Sequence, residues 1–375
     1  MDMFLTSVRN NLHTTDTTQL LNYLYSEGSA QLVEPHARYY TRVVNNVEVL
    51  PLGYQDKLDR ILDTIRAFKA NHPEDTWYST FYVPKATGGL REINAPCQEL
   101  KDIQRQILTA FQYCASLRIL PHDAAYAYEQ HRSTVEMMQV HQSNDSQWFI
   151  HLDIKDFFPS CKTETVKSLL RKVFPFALIP PETLDELLSV CVHEGALPQG
   201  GVTSPFLTNM MFVSVDHEIN KQLWNHQQYR HIYTRYADDM VISTRYKGKL
   251  QEYIDLVQNI LTPYGFQLKP AKCRMGSRAG RNWNVGLMLN KDNKITLGHE
   301  KKQRLRAAVW CFLKDFKDLN AWGAERTQHL VGILSYAYKV EPMFRDGLIR
   351  KYETKARASF KEAVRFHLNG ELPID

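Results

Sequence analysis

Two adjacent carboxylates between two apolar runs constrain this chain more than any other feature. Residues 235–243 read Arg-Tyr-Ala-Asp-Asp-Met-Val-Ile-Ser, so Asp238 and Asp239 are flanked by residues typical of strands. The pattern predicts a β-hairpin with the acidic pair at its turn. Neighbouring anionic side chains repel each other unless they are solvated or bridged by cations. Hard oxygen ligands of this kind favour Mg²⁺ over zinc.

A second acidic position lies upstream, at the end of another apolar run. Residues 148–153, Trp-Phe-Ile-His-Leu-Asp, predict a strand that ends at Asp153, and an aromatic pair follows at Phe157 and Phe158. The 85 residues between Asp153 and Asp238 are enough for a helical crossover that brings the two strands side by side. Three carboxylates would then share two metal ions, which in a pair stabilise the attacking and leaving oxygens of a phosphoryl displacement. The combination predicts nucleotidyl transfer.

A glycine-containing segment, Leu-Pro-Gln-Gly-Gly-Val-Thr-Ser-Pro at residues 197–205, lies between the two acidic motifs. The order of Asp153 with Phe158, this segment and Tyr-Ala-Asp-Asp resembles the reverse transcriptases, specifically the bacterial retron, group II intron and phage-defence branches. The resemblance extends over roughly residues 77–352. It implies a right-hand polymerase of α/β (α+β) class, with fingers and a palm built on an antiparallel sheet, a helical thumb and a helical N-terminal extension.

The resemblance implies a role for each matching position. Asp153, Asp238 and Asp239 would be the catalytic residues and would bind two Mg²⁺ ions, with Mn²⁺ as an alternative. Phe158 would be the steric gate that crowds out a 2′-hydroxyl, so deoxynucleotides are the expected substrates. The other nucleotide-binding residues that the resemblance implies are Lys85, Arg91, Gln199 and Lys272.

The cations among these residues lie in two further motifs. Residues 78–85 and 90–94 predict two strands joined by a glycine turn, which resembles the fingers hairpin in which Lys85 and Arg91 would grip the triphosphate. Without the catalytic motifs, the same pattern would indicate a solvated hairpin with ordinary surface cations. Residues 265–274 resemble the motif that follows the acidic pair, where Lys272 would be a general acid or a counter-charge near the leaving pyrophosphate.

Residues expected to contact nucleic acid lie on both sides of the catalytic motifs. Residues 125–133 resemble the segment before the first catalytic strand, where basic and hydroxyl groups would contact template phosphates. Residues 283–289 resemble the primer-grip hairpin, and between Lys272 and Arg306 there are ten Lys or Arg residues against two acidic ones. The nucleic-acid-binding residues predicted from these segments are Arg132, Ser133, Gly286, Lys301, Lys302, Arg304 and Arg306.

The periodicity of apolar residues predicts three regions along the chain. Residues 1–76 are predicted to form the helical N-terminal extension, 77–297 the fingers and palm, and 298–375 the helical thumb with a C-terminal helix. A net charge of +5 permits nucleic-acid binding without requiring it. The six cysteines show no CxxC spacing, and no stretch of 18 or more apolar residues occurs, so we expect a cytoplasmic protein with reduced thiols and no membrane partner.

Together these features predict an RNA-directed DNA polymerase that copies a dedicated noncoding RNA, in antiphage defence or a retroelement. The expected partners are the RNA template, the DNA product and dNTPs, with an effector protein or a homo-oligomer left open. Two alternatives remain: an untemplated or protein-primed nucleotide polymerase, and a catalytically idle RNA-binding scaffold. The chain departs from the retron pattern at residues 284–286, which are Asn-Val-Gly instead of Val-Thr-Gly. It departs again at residues 137–141, where only His141 matches Asn-Ala-x-x-His.

Overall fold

A computed structural model describes residues 53–85, 88–116, 120–224, 230–280, 282, 284–315 and 322–369. Most of the predicted N-terminal extension, including Leu20, Leu21 and Leu24, lies outside these residues. The described helices are α1 (Tyr54–Asn71), α2 (Gln98–Ser116), α3 (Thr134–Ser143), α4 (Phe157–Ser160), α5 (Thr163–Leu170), α6 (Pro181–Ser189), α7 (Ser204–Met211), α8 (Val213–Trp224), α9 (Leu250–Leu261), α10 (His299–Lys314), α11 (Ala324–Val340), α12 (Pro342–Ala356) and α13 (Phe360–Asn369). The described strands are β1 (Tyr78–Pro84), β2 (Leu90–Pro96), β3 (Trp148–Asp153), β4 (Ile232–Tyr236), β5 (Asp239–Thr244), β6 (Arg274–Ser277), β7 (Met288–Leu289) and β8 (Ile295–Thr296).

A four-stranded sheet carries the acidic motifs. Its strand order is β4-β5-β3-β6, so the two strands that were expected to lie side by side, β3 and β5, are neighbours. Strands β3 and β6 are antiparallel, with Trp148 opposite Ser277 and His151 opposite Arg274. The mixture of helices with this sheet confirms the predicted fold class.

The described residues form two compact units, and each unit is made of three separate segments of the chain. The first unit contains 53–129, 152–240 and 249–273, and the second contains 130–151, 241–248 and 274–369. The predicted catalytic and nucleotide-binding residues all lie in the first unit, whereas the predicted nucleic-acid-binding residues all lie in the second.

Aromatic side chains form part of the core of the first unit. Phe157 is buried and packs edge-on against Phe212, with ring centroids 5.3 Å apart, while Phe212 and Phe266 are 5.2 Å apart. In helix α1, Leu58, Ile61, Leu62, Ile65 and Phe68 are all buried, as their helical spacing predicts.

The second unit is mostly helical, and its apolar stripes are narrower than the sequence suggests. Leu330 and Leu334 of helix α11 are buried, but Ile333 and Tyr338 are 41% and 49% exposed. At 100° per residue, Leu330, Leu334 and Ala337 share one face, while Ile333 and Tyr338 lie on opposite rims of it. The helical spacing of Leu330, Ile333, Leu334 and Tyr338 predicts one apolar stripe, but the two rim residues lie outside its buried part.

No helix among the described residues is both long enough and apolar enough to cross a bilayer. All six cysteines lie in the described ranges, and none of them forms a disulfide.

Candidate active site

Three carboxylates come together where neighbouring strands of the sheet end. Asp153 is the last residue of β3 and is 3% exposed, while Asp239 is the first residue of β5. Asp238 occupies the turn between β4 and β5, directly after Ala237, which has a φ of +56°. The amide of Ile154 donates to the carbonyl of Asp238 at 3.2 Å. The hairpin and the adjacent strand end therefore have the arrangement that the sequence predicts.

Backbone hydrogen bonds hold the segment after α9 against the end of β3. The amide of Lys269 donates to the carbonyl of Asp153 at 2.8 Å, and the amide of Lys155 donates to the carbonyl of Gln267 at 2.8 Å. A short 3₁₀ turn follows at Pro270–Lys272. This turn brings Lys272 to the acidic site, where its Nζ lies 2.5 Å from Oδ2 of Asp153.

The site carries an excess of negative charge that burial makes unfavourable. Burial, together with the charges of Asp239 and Asp153, raises the pKa of Asp238 to about 6, while Lys272 acts in the opposite direction. Burial alone would lower the pKa of Lys272, but its hydrogen bond to Asp153 and the charges of all three carboxylates raise it overall. A cation is therefore favoured at this position, and Lys272 supplies part of that charge.

The donor set suits a hard divalent cation. Three carboxylates offer oxygen ligands, and the pKa of Asp238 is raised by burial and by repulsion from Asp239 and Asp153, which a cation would relieve. Among the described residues, no group of three or more His, Cys, Asp or Glu side chains is arranged so that it could hold a metal ion. Mg²⁺ commonly uses one or two carboxylates together with waters and substrate phosphates, so an open set fits its coordination.

The loop at residues 197–203 is fastened to strand β2. The amide of Asn94 donates to the carbonyl of Gln199 at 2.8 Å, and Gly200 packs against the backbone of Asn94. From the other side, buried Gln104 accepts a hydrogen bond from the amide of Val202 at 3.0 Å. Gln199 and Arg91 are thereby carried by segments that are joined to each other.

The predicted triphosphate-binding cations lie on the β1–β2 hairpin. The two strands pair in antiparallel register from Tyr78 opposite Pro96 to Pro84 opposite Leu90. Lys85 and Arg91 are both exposed at the end of this hairpin, next to the turn. Their exposure leaves them accessible to a ligand in solvent.

The two phenylalanines after Asp153 differ in environment. Phe157 belongs to the aromatic core, whereas Phe158 is only half-buried and touches Phe157 edge-on at a centroid distance of 5.6 Å. The first of the pair therefore anchors helix α4. The second presents a bulky ring at the boundary of the core, as a steric gate requires.

Sequence reasoning missed Tyr128, whose side chain lies within electrostatic range of two predicted site residues. Burial raises the pKa of this phenol, the charge of Asp238 raises it further, and Arg91 opposes the shift. Tyr128 itself is 50% exposed and has a φ of +64°. The charges of Asp238 and Arg91 therefore both act on the phenol of Tyr128. In the sequence, the one sign of a role for Tyr128 is a second tyrosine, Tyr126, two residues before it.

In the second unit, Ser133 caps helix α3. Its hydroxyl oxygen accepts a hydrogen bond from the amide of Val135 at 3.2 Å, and the same hydroxyl bonds to Glu136. Lys339 forms an ion pair with Glu136 at 2.8 Å. Burial opposes ionisation of Glu136, but the hydrogen bonds from Lys339 and Ser133 lower its pKa to about 2. The Ser-x-x-Glu pattern at residues 133–136 is the sequence signature of such a helix start, and it indicates a structural role for Ser133 beside the predicted template contact. Arg132 directly precedes this cap.

Each of the predicted basic residues at the start of α10 already has a partner within the second unit. Lys301 donates to the carbonyl of Gly286 at 2.6 Å, and Lys302 lies 2.5 Å from Glu341. Arg304 lies 2.6 Å from Glu300, and the guanidinium of Arg306 lies 5.3 Å from the ring centre of Phe344. Binding of phosphates here would therefore compete with, or share, these contacts.

The chain is similar to known reverse transcriptases. Residues 83–326 match the family model described as reverse transcriptase (RNA-dependent DNA polymerase). The chain is 29% identical to the retron Ec73 reverse transcriptase of Escherichia coli, over 72% of this chain and 85% of that protein. It is also 29% identical to the retron Ec83 reverse transcriptase of the same organism, over 76% of this chain and 90% of that protein.

Two solved telomerase structures from Candida tropicalis are similar to this chain. The apo enzyme matches with a TM-score of 0.46 and 13% identity, over 85% of this chain and 70% of that chain. A form truncated at its C-terminal domain matches with a TM-score of 0.41 and 14% identity, over 60% of this chain. The match spans about 55% of the length of that truncated telomerase.

Proposed function

This chain belongs to the reverse transcriptase family of RNA-directed DNA polymerases, and we propose that it copies a dedicated noncoding RNA into DNA at Asp153, Asp238 and Asp239. The observation that carries the proposal is the convergence of these carboxylates at adjoining strand ends, with the pKa of Asp238 raised to about 6. A site with this charge stabilises cations and the phosphates bound to them. The similarity to bacterial retron reverse transcriptases supports a structured, dedicated template.

The reaction proposed is attack of a primer hydroxyl on the α-phosphate of a dNTP with loss of pyrophosphate. Reverse transcriptases use divalent metal ions, and when bound, the two Mg²⁺ ions that we propose would stabilise the attacking and leaving oxygens. Asp153 and Asp238 would hold them, with Asp239 completing the acidic set. Lys272 would balance the charge beside Asp153 and, after binding, that of the departing pyrophosphate.

The nucleotide would be oriented by groups from separate segments of the first unit. Exposed Lys85 and Arg91 would bind the triphosphate, the first as a point charge and the second as a planar fork. Gln199 would contact the nucleotide from the loop fastened to β2. Half-buried Phe158 would crowd out a 2′-hydroxyl and so select deoxynucleotides.

The second unit is proposed to bind nucleic acid. Its basic helix α10 supports phosphate contact by Lys301, Lys302, Arg304 and Arg306, and we retain Arg132, Ser133 and Gly286 as contact residues. We also retain the functional regions 1–76, 77–297 and 298–375. The retron relatives support a retroelement, and we assign antiphage defence, a cytoplasmic setting and an effector partner or second copy as parts of the same proposal.

The experiment that tests this function is sequencing of the RNA and DNA that copurify with the protein. The protein is isolated from cells that carry its native locus, both as wild type and as the double variant Asp238→Asn, Asp239→Asn. The matched control is Asp59→Asn, Asp63→Asn, because it also removes two negative charges but takes them from the exposed face of helix α1. Wild type and control should contain one abundant structured RNA with complementary DNA.

The catalytic variant should retain the RNA and lose the complementary DNA, since phosphate contacts rather than the acidic site dominate affinity. Heterogeneous nucleic acid that is the same in all three proteins would favour the RNA-binding scaffold. DNA that is not complementary to any bound RNA would favour untemplated synthesis. Complementary DNA in the Asp238→Asn, Asp239→Asn variant would remove the assignment of the catalytic carboxylates.

A further inference from the structure

A fully buried arginine lies three residues before Asp238. Arg235 belongs to strand β4 and has no exposed surface. Its guanidinium forms a bidentate ion pair with Asp216 of helix α8, with Nε 2.9 Å from Oδ1 and Nη2 2.8 Å from Oδ2. It also lies over the ring of Phe212, 4.8 Å from the centroid. The ion pair balances the buried charge.

The third guanidinium nitrogen, Nη1, does not bond to Asp216 but to two other oxygens. Nη1 of Arg235 donates to the carbonyl oxygen of Ala237 at 3.2 Å and to Oδ1 of Asn209 at 3.3 Å. Asn209 is itself fixed, because its Nδ2 donates to the carbonyl of Ala127 at 2.8 Å. Asp216 likewise accepts from the hydroxyl of Tyr233 at 2.8 Å. Both polar side chains that bind this guanidinium are therefore fixed by further hydrogen bonds.

The carbonyl of Ala237 belongs to the peptide that leads into Asp238. Ala237 has a φ of +56°, a left-handed conformation that is unfavourable for a residue with a side chain. A hydrogen bond to its carbonyl fixes the plane of that peptide and so the direction in which Asp238 leaves the turn. On the basis of the proposed function, we propose that Arg235 is a positioning residue whose planar side chain sets the orientation of Asp238 for catalysis.

The backbone of Arg235 is held independently of its side chain. Its amide donates to the carbonyl of Ala124 at 2.6 Å, and its carbonyl accepts from the amide of Tyr126 at 2.8 Å. Replacement of the side chain therefore leaves strand β4 anchored. The orientation of the turn can be tested separately from the position of the strand.

Two variants remove the contact with Ala237 in different ways. Arg235→Lys keeps a positive charge for Asp216 but lacks the planar fork that reaches two further oxygens. The double variant Arg235→Met, Asp216→Asn removes both charges together, so no buried charge is left unpaired and folding is protected. The control is Tyr54→Phe, which removes one buried hydrogen bond, from the hydroxyl of Tyr54 to the carbonyl of Ala110 at 2.9 Å, elsewhere in the same unit.

Four quantities are measured for each protein: the thermal midpoint, the kcat and the KM for dNTP incorporation on a primed RNA template, and the affinity for Mn²⁺ alone by electron paramagnetic resonance. We expect both Arg235 variants to lose kcat on the order of 10²-fold with little change in KM, since small misplacement of a catalytic group costs about that much. Both should also bind Mn²⁺ more weakly. Tyr54→Phe should retain kcat and Mn²⁺ affinity even where its thermal midpoint falls.

Folded Arg235 variants with the wild-type kcat and Mn²⁺ affinity would overturn the proposal. So would a loss of kcat that Tyr54→Phe reproduces for the same decrease in thermal midpoint, because that result would indicate stability alone. If wild type binds Mn²⁺ but incorporates no nucleotide, the proposed function fails. The comparison of Mn²⁺ affinities then still decides whether Arg235 positions Asp238.

Discussion

The contact between Gly200 and strand β2 predicts the effect of adding a single methyl group, Gly200→Ala. Gly200 has a φ of +126°, and a Cβ at this position would lie 2.8 Å from the carbonyl oxygen of Asn94 and 3.0 Å from Cγ2 of Ile93. The amide of Asn94 is bonded to the carbonyl of Gln199 at 2.8 Å, so the strand cannot move away without breaking that bond. Either the loop or the strand must shift.

The expected cost follows from these two effects. A residue with a side chain in so sparsely populated a backbone region costs about 1–3 kcal/mol. Loss of the hydrogen bond between Asn94 and Gln199 adds about 0.5–1.5 kcal/mol. Gly200→Ala should therefore lower the free energy of unfolding by about 1.5–4.5 kcal/mol. Gly195→Ala is the matched control, because Gly195 has a φ of +73° and its Cβ would meet nothing within 4 Å, so only about 1–2 kcal/mol is expected.

The assays are equilibrium unfolding in urea and the KM for a dNTP. Strand β2 carries Arg91 and the loop carries Gln199, so separation of the two should raise KM in Gly200→Ala and leave it unchanged in Gly195→Ala. Equal losses of unfolding free energy in the two variants, with the same KM in both, would refute the argument from close packing.

Three further predictions concern other residues of the two units. Phe158→Ala should reduce the preference for dNTP over rNTP, measured as the ratio of kcat/KM values, by at least about tenfold; an unchanged ratio would show that the gate lies elsewhere. For Lys272, the raised pKa favours a counter-charge over a general acid. Lys272→Arg should therefore retain most of the single-turnover rate, while Lys272→Met should lose about 10²-fold, and equal losses in both would instead favour the acid. Burial lowers the pKa of His141 to about 3, whereas the unfolded side chain titrates near 6.5. Between pH 6.5 and about 4, His141 is therefore protonated in the unfolded state and neutral in the folded state. As the pH falls through this range, the free energy of unfolding should decrease by about 1.4 kcal/mol per pH unit because of this residue. In His141→Asn this component should vanish from urea unfolding curves, and an unchanged pH slope would contradict the assignment.

The acidic site could be predicted from sequence because each part of it has a local pattern. One apolar run ends at Asp153 and two others flank Asp238, so the strands that carry these residues can be predicted. The order of the motifs, which resembles that of a known family, predicts that these strands lie side by side. The side of helix α1 that is buried follows from residue spacing in the same way. These features depend on periodicity and on neighbours along the chain, which a single sequence contains.

The supports of the site could not be predicted, because they depend on contacts between distant residues. Arg235 reads as one more cation in the sequence, although a charge in an otherwise apolar strand was a signal that it is buried and paired. Its partners Asp216 and Asn209 are 19 and 26 residues away, on two helices. The Ser-x-x-Glu pattern at residues 133–136 is local, but the ion pair between Glu136 and the distant Lys339 is visible only in the structure. The exposure of Ile333 likewise depends on which neighbours cover helix α11.

The segments beside the acidic residues are joined by hydrogen bonds between backbone amides and carbonyls, and we call these bonds the frame of the site. Because side chains take no part in these bonds, exposed side chains at these positions can be replaced. Lys155, Gln267 and Lys269 contribute backbone hydrogen bonds to that frame, and their side chains are exposed. The carbonyl of residue 267 is bonded to the amide of Lys155, two residues after Asp153. A cysteine at position 267 would therefore carry a fluorophore or a crosslinker beside the site while keeping those backbone bonds. Proline at 155 or 269 would remove a required amide donor. These positions offer attachment points for following synthesis in real time, one nucleotide after another.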